Sequence, residues 1–326
     1  MQVGTIDGER CDISEHAANN TVLATGRSGS GKSVRMQQIE LECAREGKTV
    51  IALDTSSAHH PEFIFSDISD DYGKYVKRID VAADGLNMSL FHDGNAGVSL
   101  NVLGAYYGLG QRQMAILRGA VSAVENSPPD GDDFYHLQNV LQMSGGEELA
   151  ERMCPLLNCK IERRNNAGIQ TGMINVIDVS LFDLEVQEPL AELFLAQCWS
   201  RLQRNKGSAG DILFSLDEIQ NLSVNRKNST LHRMLREGRK FHASFLLATQ
   251  TLGIFRPEAV AMLNQAATRL YFSPPVNEVG RIAREIDSDR TDVWRRKLAS
   301  LKVGQCIAVG DFVVNGFEIS RPLLLN

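Results

Sequence analysis

Apolar residues gather in short runs along this chain. The runs alternate with stretches where apolar positions recur every three or four residues. Thr21-Val22-Leu23-Ala24-Thr25 and Thr49-Val50-Ile51-Ala52-Leu53-Asp54 are apolar at odd and even positions alike, which predicts strands buried on both faces of a parallel sheet. Residues 4–13 read as a strand-rich entry, 34–45 as a helix and 78–82 as a further strand. The texture then changes. Met114, Leu117, Val121 and Val124, and again Leu137, Val140 and Leu141, keep helical spacing, with breaks at 127–133 and 144–148. Strand and helix signals alternate again from 174 onward: strands at 174–179, 212–217, 244–249 and 268–272, and helices at 189–203, 229–240, 257–265, 276–286 and 292–301. Residues 305–309 and 312–319 resemble a closing hairpin.

Such alternation implies a mostly parallel sheet with helices on both faces. The expected architecture is an α/β core in two parts, residues 1–103 and 171–326, separated by an inserted helical subdomain at 104–170. Composition agrees with a folded chain, since 43% of its 326 residues are hydrophobic and 23% charged. The net charge of −6 argues against an all-round basic coat, yet a ring can keep basic residues in its pore and acidic ones outside. No apolar run is long enough to span a bilayer, and MQVGTIDGER lacks a secretory pattern, so a cytoplasmic protein is expected. The six cysteines are scattered. Cys154 and Cys159 lack a second pair or a histidine to complete a zinc set, and reduced thiols fit that setting.

Chemistry enters at Gly26-Arg27-Ser28-Gly29-Ser30-Gly31-Lys32-Ser33, a full match to the phosphate-binding loop G-x-x-x-x-G-K-[ST]. A strand precedes it and a helix follows. That order aims backbone N–H groups and the helix's positive end at an anion. Lys32 is placed to reach the outer phosphates of ATP, and the Ser33 hydroxyl to ligate Mg²⁺. The strand ILFSLDE sets Asp217 at its C-terminal end as a metal partner and Glu218 as the group that activates or orients water. A carboxylate pair of this kind favours a hydrolase over a kinase. Gln250 closes the strand SFLLATQ, where its amide can sense a γ-phosphate. Arg239 and Lys240 lie in the turn before that strand. Arg239 is a candidate for an arginine supplied to a neighbouring subunit, with Arg269 a competing candidate and a solvated surface role open for both.

Basic clusters at 160–164, 201–206, 226–227 and 295–297 would meet nucleic-acid phosphates if they faced a pore; each also fits a solvated face. His59, His60 and His92 lack ligand spacing and read as structural or surface groups, while Trp199 and Trp294 read as packing residues.

In order, GRSGSGKS, VIALD, ILFSLDE, EGRKFHASFLLATQ, NQAATRLYF and LKVGQCIAVGDFVVNGFEISRPL resemble the HerA/FtsK superfamily of P-loop ATPases, above all HerA and the ATPases of conjugative type IV secretion. The resemblance spans nearly the whole chain and is weakest at 104–158. It implies a RecA-like core, Lys32 and Ser33 for nucleotide and metal, Asp217 and Glu218 for metal and water, Gln250 as sensor, and Arg239 acting in trans. It further implies a hexameric ring that moves DNA, or sometimes protein, through its pore. HerA-like proteins usually carry an N-terminal β-barrel and conjugation ATPases a large N-terminal domain. About 20 residues precede the first core strand here, too few for either, so a bare motor core is expected. An ATP-driven assembly switch for a partner enzyme such as a nuclease, and a protein-secretion motor, are the alternative readings.

Overall fold

The computed structural model describes residues 1–64, 69–86, 89–127, 132–159, 161, 168–205, 210–226 and 229–326. The chain opens with β1 (Gln2–Ile6) and β2 (Glu9–Ile13), an antiparallel pair, and enters the core at β3 (Thr21–Thr25). Next come α1 (Lys32–Arg45), β4 (Thr49–Asp54), α2 (Ser69–Tyr75), β5 (Val76–Asp80) and the single turn α3 (Val81–Asp84). The helices α4 (Ala96–Tyr106), α5 (Gln111–Glu125), α6 (Asp133–Met143) and α7 (Glu147–Leu157) then stand between β5 and the next strand. That strand is β6 (Ile174–Asp178), followed by α8 (Leu184–Arg204), β7 (Ile212–Leu216), α9 (Thr230–Glu237) and β8 (Ala243–Thr249). The chain ends through α10 (Pro257–Leu263), β9 (Thr268–Tyr271), α11 (Val276–Ile286), α12 (Thr291–Ala299), β10 (Cys306–Val309), β11 (Phe312–Val314), β12 (Phe317–Ile319) and β13 (Leu323–Leu325).

The central sheet has the order β13-β10-β9-β3-β8-β7-β4-β6-β5. It is parallel from β9 to β5, and β10 and β13 add antiparallel strands at one edge. Alternate residues serve opposite faces. Leu23, Ile51, Leu53 and Phe214 pack toward α8 and the helices α4–α7, whereas Val22, Ala24, Val50 and Ala52 pack toward Met36 and Ile39 of α1. This two-sided burial is why those strands read as unbroken apolar runs. Trp199 and Trp294 are both buried packing residues. Among the described residues no helix is long and apolar enough to cross a membrane.

Three expectations are corrected. Residues 305–319 do not form one hairpin. β10 joins the central sheet between β9 and β13, while β11 pairs with β12 on one side and β2 on the other in a separate small sheet of order β1-β2-β11-β12. The helix expected to start at Pro189 begins five residues earlier, at Leu184, so the proline lies inside it and forfeits one backbone hydrogen bond. The strand expected at 78–82 is Val76–Asp80, because the Asp80 carboxylate caps α3 by accepting from the N–H groups of Ala82 and Ala83.

A buried ion cluster ties α1 to the sheet. Glu40 Oε2 lies 3.2 Å from His59 Nε2, and His59 Nδ1 lies 3.4 Å from Asp54 Oδ2. Tyr72 and Ser215 donate their hydroxyls to Glu40 at 2.7 and 2.5 Å. Burial works against every charge here, but pairing outweighs it. His59 is raised well above the usual histidine value, and Asp54 is lowered to about 2. His59→Ala strands two buried carboxylates, so denaturant unfolding is expected to show a loss of about 3–5 kcal/mol. The sign with pH follows. The His59 contribution is full below the unfolded histidine value and fades as pH rises through its raised folded value. The Asp54 contribution fades only as pH falls toward about 2. A loss below about 1 kcal/mol, typical of exposed pairs, would show that the cluster is not a closed buried ion pair.

Candidate nucleotide site

The phosphate loop leaves β3 and re-enters the chain as α1. Its start is pinned from two neighbouring strands: Gly26 N–H donates to Thr249 O at 3.4 Å and Arg27 N–H to Ser273 O at 3.0 Å. A side chain at Gly26 would place its Cβ 2.7 Å from Phe272 Cβ, so the loop can lie this close to β9 only with glycine there. Gly31 is as tightly placed. With φ at +102°, a Cβ there would meet the Gly304 backbone at 2.7 Å. Gly304 N–H donates to Ser30 O at 3.0 Å, and the Arg35 guanidinium bridges Val3 O at 3.2 Å and Gly304 O at 3.1 Å. A turn 273 residues downstream in the chain thus forms the back of the loop. Arg27, Ser28 and Gly29 face solvent, leaving the loop's mouth open.

Lys32 is buried, and its ammonium curls back to donate to Gly26 O at 2.8 Å and Arg27 O at 3.3 Å. Burial lowers its pKa below the usual lysine value, opposed by the charges of Glu218 and Asp217. The loop thus holds a cation facing two acids from the next motif. Ser33 donates its hydroxyl to Asp217 Oδ2 at 2.8 Å. Asp217 follows the last residue of β7 and is itself buried; that burial raises its carboxyl above the usual value. A hydroxyl and a carboxylate side by side suit a hard divalent cation such as Mg²⁺. Ser33 and Asp217 are the side chains that would hold it.

Glu218 sits in the left-handed region at φ +48°, uncommon for a non-glycine residue. Its N–H donates to Asp217 Oδ1 at 2.8 Å, and a 3₁₀ turn, Ile219–Asn221, begins directly after it. The sharp turn swings the Glu218 carboxylate toward the end of β8. There Gln250 Nε2 donates to Glu218 Oε1 at 3.0 Å. Lys32, Ser33, Asp217, Glu218 and Gln250 therefore lie together at the C-terminal ends of β3, β7 and β8, as open α/β sheets arrange their ligand sites.

Neither arginine joins this group. Arg239 lies in the turn before β8, at the opposite end of the sheet, and its guanidinium donates to Ala18 O at 2.9 Å. The length of β8, at roughly 3.3 Å per residue, separates it from the phosphate loop of its own subunit. Arg269 sits within β9 opposite Leu23 and Val309, with its Nε buried and unbonded. Of the basic clusters, residues 160, 162–164, 206 and 227 lie outside the described set. Arg226 stacks 4.1 Å over the Tyr106 ring and pairs with Glu188, whereas Arg295, Arg296 and Lys297 are exposed on α12. Gln220, Thr249 and Gly304 also belong to the site, and sequence reasoning passed over them. A lone Gln two places after Glu218 carries no motif, and only the folded chain brings Gly304 to Gly31.

No protein-family model and no curated protein sequence matches the chain. Its structure is similar to that of VirB4 of Thermoanaerobacter pseudethanolicus, with a TM-score of 0.70 and 15% identity over 98% of this chain and 94% of the other. It is also similar to the bacterial conjugative coupling protein TrwB. The trigonal form of TrwBdeltaN70 with sulphate gives a TM-score of 0.65 at 13% identity over 95% of this chain and 86% of that one. The unbound monoclinic form gives 0.66 at 12% identity over 100% and 88%. At these identities the likeness is one of fold. The RecA-like P-loop architecture expected from the HerA/FtsK resemblance is the one observed.

Proposed function

We propose that this chain hydrolyses Mg²⁺-ATP and uses the energy to move DNA as a homohexameric ring. The reading rests above all on one juxtaposition: Lys32 and Ser33 of a complete phosphate loop face Asp217, Glu218 and Gln250 across the ends of three adjacent strands. The residues divide the work. Backbone N–H groups of 26–33 receive the phosphates. Lys32 leaves Gly26 O and Arg27 O to meet negative charge on the outer phosphates. Ser33 and Asp217 would hold Mg²⁺, which when bound would supply positive charge to the phosphate oxygens. Glu218 accepts a proton from the attacking water, and Gln250, sharing that carboxylate, registers the γ-phosphate.

The fold shared with VirB4 and the coupling protein TrwB supports the motor setting, and α5–α7 fall within the inserted subdomain proposed at 104–170, whereas α4 begins ahead of it at Ala96. Arg239 supports a ring in another way. It lies too far along β8 to serve its own phosphates, as suits a residue that completes a neighbour's site.

Three measurements test the assembly, the DNA-dependence and the shared site. Sedimentation with a non-hydrolysable ATP analogue is expected to show a ring, and DNA to stimulate ATP turnover. Mixing Arg239→Ala with Lys32→Ala subunits is expected to restore turnover that each lacks alone, because a Lys32→Ala subunit still donates its arginine. A strict monomer with nucleotide at micromolar concentration would overturn the ring. Stimulation by a partner protein without DNA would move the function to an assembly switch or secretion motor. Rescue seen only with Arg269→Ala in place of Arg239→Ala would reassign the arginine.

A further inference from the structure

Gln220 sits between the two strands that carry the hydrolytic groups. Its side-chain Nε2 donates to Glu218 Oε2, and its Oε1 accepts from the Thr249 hydroxyl at 2.9 Å. Thr249 is fully buried as the last residue of β8, and the next residue, Gln250, donates to the other Glu218 oxygen at 3.0 Å. The contacts close a loop: Glu218 to Gln220, Gln220 to Thr249, along the backbone to Gln250, and back to Glu218. The chemistry fixes the direction of the Gln220 amide. A carboxylate only accepts, so the amino end must face Glu218, and the carbonyl end faces the Thr249 hydroxyl at 2.9 Å, nearer than that hydroxyl's other acceptor, Thr251 O at 3.2 Å.

Given hydrolysis at this site, as proposed above, we infer that Gln220 is a positioning residue that, anchored by Thr249, holds the Glu218 carboxylate in its water-activating orientation. The backbone shows why a holder is needed. Glu218 lies at φ +48° directly before a 3₁₀ turn of only three residues, and the backbone alone leaves its side-chain rotamers free. Two amide donors, one on each oxygen, fix the carboxylate plane. Each oxygen keeps a further lone pair for water. Gln220 touches neither nucleotide nor water in this account; it acts through Glu218.

Gln220→Leu keeps the bulk and removes both hydrogen bonds. The expected result is a fall in kcat of about 10- to 100-fold, the scale of a misplaced catalytic group, with KM and ATP affinity within about twofold of wild type. Thr249→Val is expected to lower kcat in the same way, and Thr249→Ser, which keeps the hydroxyl, to restore it. Single turnovers with radiolabelled ATP give the deciding comparison. In a Glu218→Gln background, Gln220→Leu is expected to cost nothing further, because the group it positions is already disabled. Unchanged kcat in Gln220→Leu would overturn the inference. So would an equal further loss in the Glu218→Gln background, since a purely structural role acts regardless of residue 218. Should Gln220→Leu fail to fold, the Thr249→Val and Thr249→Ser pair decides alone. No turnover by the wild-type ring would instead remove the hydrolytic reading, an outcome distinct from all of these.

Discussion

Lys32→Ala is expected to lose ATP turnover entirely and to bind nucleotide far more weakly. The ammonium is the buried cation of the phosphate loop, held at 2.8 Å from Gly26 O; burial lowers its pKa, and the charges of Glu218 and Asp217 oppose that shift. Removing it leaves the loop's N–H groups in place but takes away the one charge that can follow the outer phosphates as they separate. Two adjacent acids then meet the nucleotide's negative charge with no cation between them except the metal. Titration calorimetry reads the affinity and a phosphate-release assay the rate. Turnover near wild type would show that the nucleotide site lies elsewhere.

Glu218→Gln is expected to separate binding from chemistry. An amide keeps the shape, and Lys32 and Ser33 stay where they are, so ATP should bind about as tightly as before. The amide accepts no proton from water, and turnover is expected to fall by about 10²- to 10⁴-fold. The contacts around it should reorganise, because Gln250 and Gln220 now offer amino groups to a side chain with a single acceptor oxygen. The pairing of retained affinity with lost turnover is the diagnostic result, and weakened binding at unchanged rate would argue against Glu218 as the group that activates water.

The sequence carried most of the scaffold because burial on both faces leaves a local imprint. β3 and β4 could be bounded from their apolar runs, and α11 from its spacing. What stayed hidden was decided at a distance. The apolar runs at 305–309 and 312–319 look alike locally, yet one finds Tyr271 and Leu325 as partners and the other finds Cys11 and Phe317. No local pattern separates those fates. β13 is three residues long and follows a proline, too little for a periodicity. At the site, residues within a motif could be located from spacing. Gln220 and Thr249 could not, since the first is an unremarkable polar residue in a turn and the second reads as strand. Their joint position depends on β7 and β8 lying side by side.

The contact between Gly31 and Gly304 sets an order in time. The phosphate loop is encoded within the first 33 residues, but the turn that backs it is not made until residue 304. At typical synthesis rates of about 5–20 residues per second, that interval is roughly a quarter of a minute to a minute. Throughout it, Ser30 O lacks its donor, and Arg35 has no Gly304 carbonyl to hold. A ligand stabilises only a state that binds it. A nucleotide held by the backed loop would therefore stabilise only chains already made as far as residue 304. The loop is written early and gains its backing late.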